Sequence, residues 1–265
     1  MVSYLLLPNS IGAGNSKIQK SRSMFPPEGL PTPGQLLLIT DELGSPADFV
    51  LHNLLAVHLK DKQNARCVLL SVSESLARWK AIAARSNINL AQKIDEGALV
   101  FVDVTTELGR RAPAKSPSSL RPLFDRVQSS IGTSSEDRTL VILDDIATLE
   151  WTGHPALVIT RFARALVSLC AKNGAALVVR HHVVSAEEPD ELFRALRQLC
   201  AYHAEVRALA SGRSGAVSGE VALHAGASLG GRTGVALIPR EQAVQYRLTD
   251  SSAVFFQRGT GQAVL

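Results

Sequence analysis

Two stretches of the chain carry residue types that do chemistry together. The first is Thr40-Asp41-Glu42-Leu43-Gly44-Ser45-Pro46-Ala47-Asp48, a turn between an apolar run and an amphipathic segment. The second is Leu140–Asp145, LVILDD, an apolar run closed by two carboxylates. A strand–turn–helix followed later by an acid-ended strand is the layout of P-loop nucleotide-binding proteins. Their working turn is GxxxxGK[ST], in which backbone N–H groups cradle phosphates, Lys neutralises charge and a hydroxyl binds magnesium. Only Gly44-Ser45 matches that pattern, and the dipeptide Gly-Lys occurs nowhere in the chain. Asp41, Glu42 and Asp48 repel a polyphosphate, and Pro46 removes one N–H. Gly44, Ser45, Asp144 and Asp145 are thus the positions where a nucleotide site would survive as a remnant. Asp144 and Asp145 have a plainer reading too, because acidic residues commonly end a strand and cap the next helix, and Asp145 or Thr148 could cap it here.

Other groupings point to less. His181-His182 lack the spaced partners of a metal site. Ser71 and Ser73 lack a GxSxG context, so no hydrolase triad is indicated. Trp79 reads as a core or interface residue. No residue is assigned as catalytic or metal-binding, and no cofactor is expected. The cations suited to RNA are Arg110, Arg111 and Lys115 after the third strand and Arg180 after the fifth. Arg207, Arg213 and Arg232 lie in a glycine-rich region. Ligands of open α/β sheets bind at the C-terminal ends of strands, and arginines in flexible loops suit phosphate contacts. Solvated loop charge is the plainer account of each.

The elements that position these residues follow from hydrophobic patterning. Leu36–Thr40, Arg66–Val72, Ala98–Val102, Thr139–Asp145 and Ala175–Val179 are short apolar runs that suit strands buried on both faces. Between them, Pro46–Leu59, Glu74–Arg85, Leu90–Glu96, Leu120–Ile131 and Pro155–Lys172 have helical periodicity, and Glu188–Leu199 follows. Thr105–Ser119 reads as a long polar loop. This alternation predicts an α/β fold with a parallel sheet and helices on both faces. From Tyr202 onward the pattern shifts. Glu220–His224, Val235–Ile238, Val244–Leu248 and Ala253–Gln257 read as antiparallel strands added to the sheet.

The 265 residues suit one large domain, over residues 35–265. Residues 1–34 read as an extended, poorly ordered arm, because they end in a proline-rich piece around Pro26, Pro27, Pro31 and Pro33. The net charge of +4 permits an acidic partner without requiring one. Cys67, Cys170 and Cys200 are far apart in sequence and fit reduced thiols in a cytosolic or nuclear compartment. No apolar run has the length of a membrane span, so no membrane association is expected.

Four collinear stretches carry a further likeness: the Phe49–Leu59 helix, Gly97-Ala98-Leu99-Val100-Phe101, Val141–Leu149, and Tyr246–Leu265. Together they resemble the family of the sixth subunit of the Elongator complex, from about Gln35 to Leu265. The match is not firm between about Gly109 and Arg121 or between Ala208 and Gly231. The resemblance implies a RecA-like fold with a degenerate phosphate loop. It also implies a hetero-hexameric ring with two related RecA-like subunits, docked on the larger catalytic Elongator subunits. The ring binds tRNA, and the complex modifies wobble uridines. The expected role is that of a non-catalytic ring subunit, cytoplasmic and also nuclear, that supports tRNA binding and release. The alternative is an atypical nucleoside-triphosphatase whose pocket, with Asp144 or Asp145, is completed by a neighbouring chain.

Overall fold

The computed structural model describes residues 24–61, 64–111, 119–132, 138–185, 188–209, 217–231, 234–250 and 252–258. Its centre is a nine-stranded sheet. In chain order the elements begin with β1 (Leu36–Asp41), α1 (Asp48–Asp61), β2 (Ala65–Ser71), α2 (Leu76–Arg85), α3 (Leu90–Asp95) and β3 (Leu99–Asp103). Next come α4 (Val104–Arg111), α5 (Arg121–Ser130), β4 (Arg138–Leu143), α6 (Ala147–Trp151), α7 (Ala156–Lys172) and β5 (Ala176–His182). The chain continues with α8 (Glu191–Leu199), β6 (Tyr202–Arg207), β7 (Gly219–Ala225), β8 (Val244–Leu248) and β9 (Ala253–Phe256).

The strand order is β3-β2-β4-β5-β1-β6-β7-β8-β9. The first six pair in parallel, and β7, β8 and β9 extend the sheet in antiparallel fashion from β6. The expected α/β architecture, a mostly parallel sheet flanked by helices, is therefore present.

The continuous apolar runs make sense because both faces are covered. Successive side chains of a strand alternate between faces. Leu37 and Ile39 of β1 enter a core with Val50, Leu51, Leu54 and Leu55 of α1, Trp79 of α2 and Leu90 of α3. Leu36 and Leu38 enter the other core, with Leu123 and Val127 of α5, Ile159, Phe162 and Leu166 of α7, and Leu192 and Leu196 of α8. Burying each such side chain contributes about 1.5–3 kcal/mol. Local signals set the helix ends. Ser75, Asn89 and Asp190 cap α2, α3 and α8 by accepting the backbone N–H groups of Arg78, Gln92 and Phe193. Gly97 and Gly174, at φ of +71° and +63°, turn the chain out of α3 and α7.

Several boundaries differ from the sequence expectation. The loop expected from Thr105 begins instead as helix α4. Asp103 caps it, its Oδ1 accepting the Thr106 N–H at 2.9 Å, and polarity hid the helix from periodicity. Ala147–Trp151 forms α6, too short to show a period. The strand expected to stop at Val179 runs on to His182, since Arg180, His181 and His182 pair with Ile39, Thr40 and Asp41. Tyr202–Arg207 is a central strand whose polar residues obscured it. Val235–Ile238 is not a strand: only Ile238 pairs, through a single bridge to Leu223.

The proline-rich lead-in also reaches the core. Phe25 is fully buried, its ring centroid 5.5 Å from that of Phe255. Residues 1–23 of the expected arm lie outside the described residues. Among the described residues no helix is long and apolar enough to cross a membrane. The three cysteines are buried free thiols, and burial pushes Cys170 up to about 12 and Cys200 to about 11.

Candidate functional site

Because β2, β4, β5 and β1 are neighbours and parallel, their C-terminal ends gather the polar residues singled out from sequence onto one edge. Asp41 closes β1, Asp48 opens α1, Ser71 closes β2, Asp144 and Asp145 follow β4, and Arg180 and His182 lie near the end of β5. This is the edge where an open α/β sheet binds ligands. Most of its charge is spent internally.

Asp41 is 1% exposed. Its Oδ2 accepts the backbone N–H of Ala47 at 2.5 Å, at the entry to α1. A helix N-terminus presents unpaired N–H groups and partial positive charge, which is why phosphates bind there. Here a carboxylate of the chain itself holds that position. Gly44 and Ser45 sit just outside it, in a tight turn closed by the Ser45 N–H donating to the Glu42 carbonyl at 2.9 Å. Ser45 is buried and Gly44 is exposed.

Arg180 is the cation of the site. Expected as an RNA-facing cation at the end of the fifth strand, it is instead 2% exposed within β5. The guanidinium pairs with Asp48 through a short contact and with Asp41 at 3.5 Å, and Nη2 reaches Ser73 Oγ at 3.4 Å. Its Nε donates to the Asp144 carbonyl. A buried guanidinium with this many partners neutralises carboxylates from two elements and cannot also meet an external phosphate.

Asp144 and Asp145 point apart. Asp144 accepts the Val72 N–H at 2.7 Å and the Ser71 hydroxyl, and Ser71 in turn accepts the Trp79 indole N–H at 3.1 Å. Burial raises the Asp144 pKa, opposed by the Ser71 and Val72 hydrogen bonds and by Arg180. Asp145 caps α6, accepting the N–H groups of Ala147 at 3.0 Å and Thr148 at 3.3 Å. The helix-cap reading of the sequence holds for Asp145. His182 bridges two of these acids, with Nδ1 2.5 Å from Asp41 and Nε2 3.6 Å from Asp145. The bond to Asp41 raises its pKa against the opposing effect of burial.

A second polar row lies on the β5–β1–β6 side. His181 pairs with Asp190 at 3.0 Å and stacks on Phe193 at 5.7 Å between centroids. Burial raises the Asp190 pKa in isolation, but the His181 and Phe193 hydrogen bonds outweigh it and hold the carboxyl below its usual range. His203 Nε2 and Thr40 Oγ1 are 2.7 Å apart, and burial holds the His203 pKa down to about 4. Among the described residues no group of His, Cys, Asp and Glu is arranged to hold a metal ion.

The remaining cations expected from sequence are scattered. Arg110 and Arg111 end α4, behind β3 at one border of the sheet. Arg207 ends β6, five strand spacings away, or about 24 Å. Arg207 is paired with Glu205 and lies 3.8 Å from Glu42. Lys115, Arg213 and Arg232 lie outside the described residues. Sequence reasoning missed the internal use of Asp41 and its pairing with Arg180. The signal for it is the excess of acids in the turn, which can serve an internal cation as well as repel a ligand.

Residues 26–250 match the family model described as Elongation complex protein 6. The Elongator complex protein 6 of Danio rerio is 27% identical over 256 residues, spanning 88% of this chain and 94% of that protein. That of Xenopus laevis is 26% identical over 255 residues, with the same shares covered. The human Elongator complex protein 6 is 25% identical over 257 residues, covering 88% of this chain and 93% of that protein. With the family match running from the buried lead-in through β8, the chain belongs to the Elongation complex protein 6 family and has its role in the Elongator complex among that complex's other subunits.

Proposed function

We propose that the chain is a non-catalytic, RecA-like subunit of the Elongator accessory ring. In this reading it assembles with two related subunits into a hetero-hexamer. The ring docks onto the larger catalytic subunits and supports tRNA binding and release during wobble-uridine modification, in the cytoplasm and nucleus. The observation that carries the reading is the carboxylate of Asp41 on the Ala47 N–H, where a phosphate would otherwise lie. The turn around Gly44 and Ser45 is then a phosphate loop that has lost its ligand and kept its place in the fold.

Exposed apolar residues on the same edge favour assembly. Leu43 follows β1 and is 99% exposed, Trp151 ends α6 at 67%, and Val184 follows β5 at 82%. Large side chains left in water at the ends of adjacent strands suit burial against another chain. RNA contact is proposed for cations named from the sequence. Arg110 and Arg111 remain candidates, as do Lys115, Arg213 and Arg232, whereas Arg180 is withdrawn and Arg207 is weakened by its acidic partners.

Purification of the chain from its native source tests the reading. Two related RecA-like chains co-purifying in equal amounts is the expected result. A chain that purifies alone, or with unrelated proteins only, overturns it.

A further inference from the structure

A concave site separate from the β1–α1 turn lies between α8, the start of β6 and the turn after β7. It encloses about 220 Å³, and its lining includes Phe193, Arg194, Arg197, Gln198, His203 and Gly226. No carboxylate lines it among the described residues. This is the reverse of the edge described above, where acids outnumber the one buried arginine.

Arg194 and Arg197 are one helical turn apart on α8, and both are exposed. Neither forms an ion pair among the described residues. Other exposed arginines, Arg161 and Arg164 of α7 among them, also lack a carboxylate partner among the described residues; Arg194 and Arg197 differ in sharing one concavity. Arg197 lies over the Phe193 ring at 5.9 Å, a cation–π contact that involves the guanidinium face rather than its N–H edges. The Phe193 ring is fixed in turn, stacked on His181 and edge-on to His203. His203 lines the site as a neutral ring anchored by Thr40. Gly226 keeps the wall close: a Cβ there would lie 2.1 Å from the Cys200 carbonyl oxygen.

Two unpaired guanidiniums at one concavity, one of them lying over an aromatic ring, suit a tetrahedral oxyanion, which accepts several N–H donors at once. We propose that this site binds a phosphoryl group, held by Arg194 and Arg197 with Gln198 and His203 as further hydrogen-bonding groups. The group comes either from a free phosphorylated molecule or from a nucleic-acid backbone. The proposal does not rest on the ring or tRNA reading.

The test is NMR titration of the full chain at fixed ionic strength, following His203, Phe193 and the Gly226 amide. The probes are inorganic phosphate and a short single-stranded oligouridylate without terminal phosphates. The proposal predicts saturable shifts with at least one probe, and affinity weaker by about tenfold or more in Arg194→Gln/Arg197→Gln. Response to phosphate alone assigns the site to a small phosphorylated molecule. Response to the oligonucleotide, displaced by phosphate, assigns it to the nucleic-acid backbone. Both side chains are exposed, so the double variant should keep the wild-type amide spectrum; if it does not, the single Arg194→Gln variant carries the comparison. No saturable shift with either probe, or shifts of equal affinity in the folded variant, overturns the proposal.

Discussion

The Asp41 carboxylate and the Ala47 amide lie 2.5 Å apart, joining the last residue of β1 to the residue before α1. The same carboxylate meets Arg180 at 3.5 Å and His182 at 2.5 Å. One side chain thereby caps a helix, balances a buried cation and holds an imidazole. Removing one partner of a buried charge pair is costly because the other is left uncompensated.

Asp41→Ala is therefore expected to lower stability by roughly 3–5 kcal/mol. Arg180→Met should act similarly, and the double variant should lose less than the sum of the two. Urea unfolding in a double-mutant cycle measures this. Additive losses would mean that the two residues are not coupled.

Asp144→Asn changes charge with little change of shape. The Val72 N–H and the Ser71 hydroxyl both donate to this carboxylate, so the amide leaves one donor facing another. A loss of about 1–3 kcal/mol is expected. Assembly with partner subunits should persist, as read by size-exclusion chromatography of the co-expressed complex. Loss of assembly with a stable chain would give Asp144 a direct part in the interface.

Two histidines, buried His203 and part-buried His52, are expected to make the protein acid-sensitive. His203 and His52 are both lowered from 6.5 to about 4, chiefly by burial. Their neutral forms fit the fold, so their stabilising contribution is complete above about pH 6.5. It declines as the unfolded chain takes up protons that the folded chain refuses, down to about pH 4. His203 accounts for roughly 3 kcal/mol of that decline, at about 1.4 kcal/mol per pH unit. His182 runs the other way. Its raised pKa contributes stability below the unfolded value that is lost as pH rises through the folded one. Denaturant midpoints from pH 7 to pH 4 should flatten in His203→Gln. A slope equal to wild type would contradict the assignment.

Much of the fold is legible in the sequence because β1, β2, β4 and β5 are buried on both faces and carry unbroken apolar runs. What periodicity misses are elements with other reasons to exist. Strand β6 carries His203 and Glu205 because each has a polar role: His203 bonds Thr40, and Glu205 is held by Arg240 and Arg207. Burial alone would raise the Glu205 pKa, but those arginines hold it below its usual value. Helix α4 is polar and stands on the Asp103 cap. At the site, the acids of the β1–α1 turn could be read as hostile to phosphate. Their pairing with Arg180 depends on β5 lying beside β1, a long-range adjacency that no local pattern reports.

Charge at the end of α4 bears on the RNA reading. Under the proposed function, reversing Arg110 and Arg111 to Glu should weaken tRNA binding by the ring. It should also reduce the slope of log affinity against log salt by on the order of one to two. Filter binding across a salt series measures both. An unchanged slope removes these residues from the RNA surface.

Gly226 offers a check on the packing of β7 against the start of β6. A methyl group at this position meets backbone, at 2.1 Å from the Cys200 carbonyl oxygen, and backbone cannot rotate away. Gly226→Ala should cost about 3 kcal/mol or more. A thermal midpoint within about 2 °C of wild type would mean that the β7 turn sits farther from Cys200.

At the head of α1 the Asp41 carboxylate takes the Ala47 N–H, and the proposed reading is that it stands where a phosphate would otherwise bind. Isothermal titration of the isolated chain with ATP, with and without magnesium, tests it most directly. No saturable, magnesium-dependent heat is expected. Saturable magnesium-dependent binding at this turn would contradict it and would restore the chain to the nucleotide-binding enzymes.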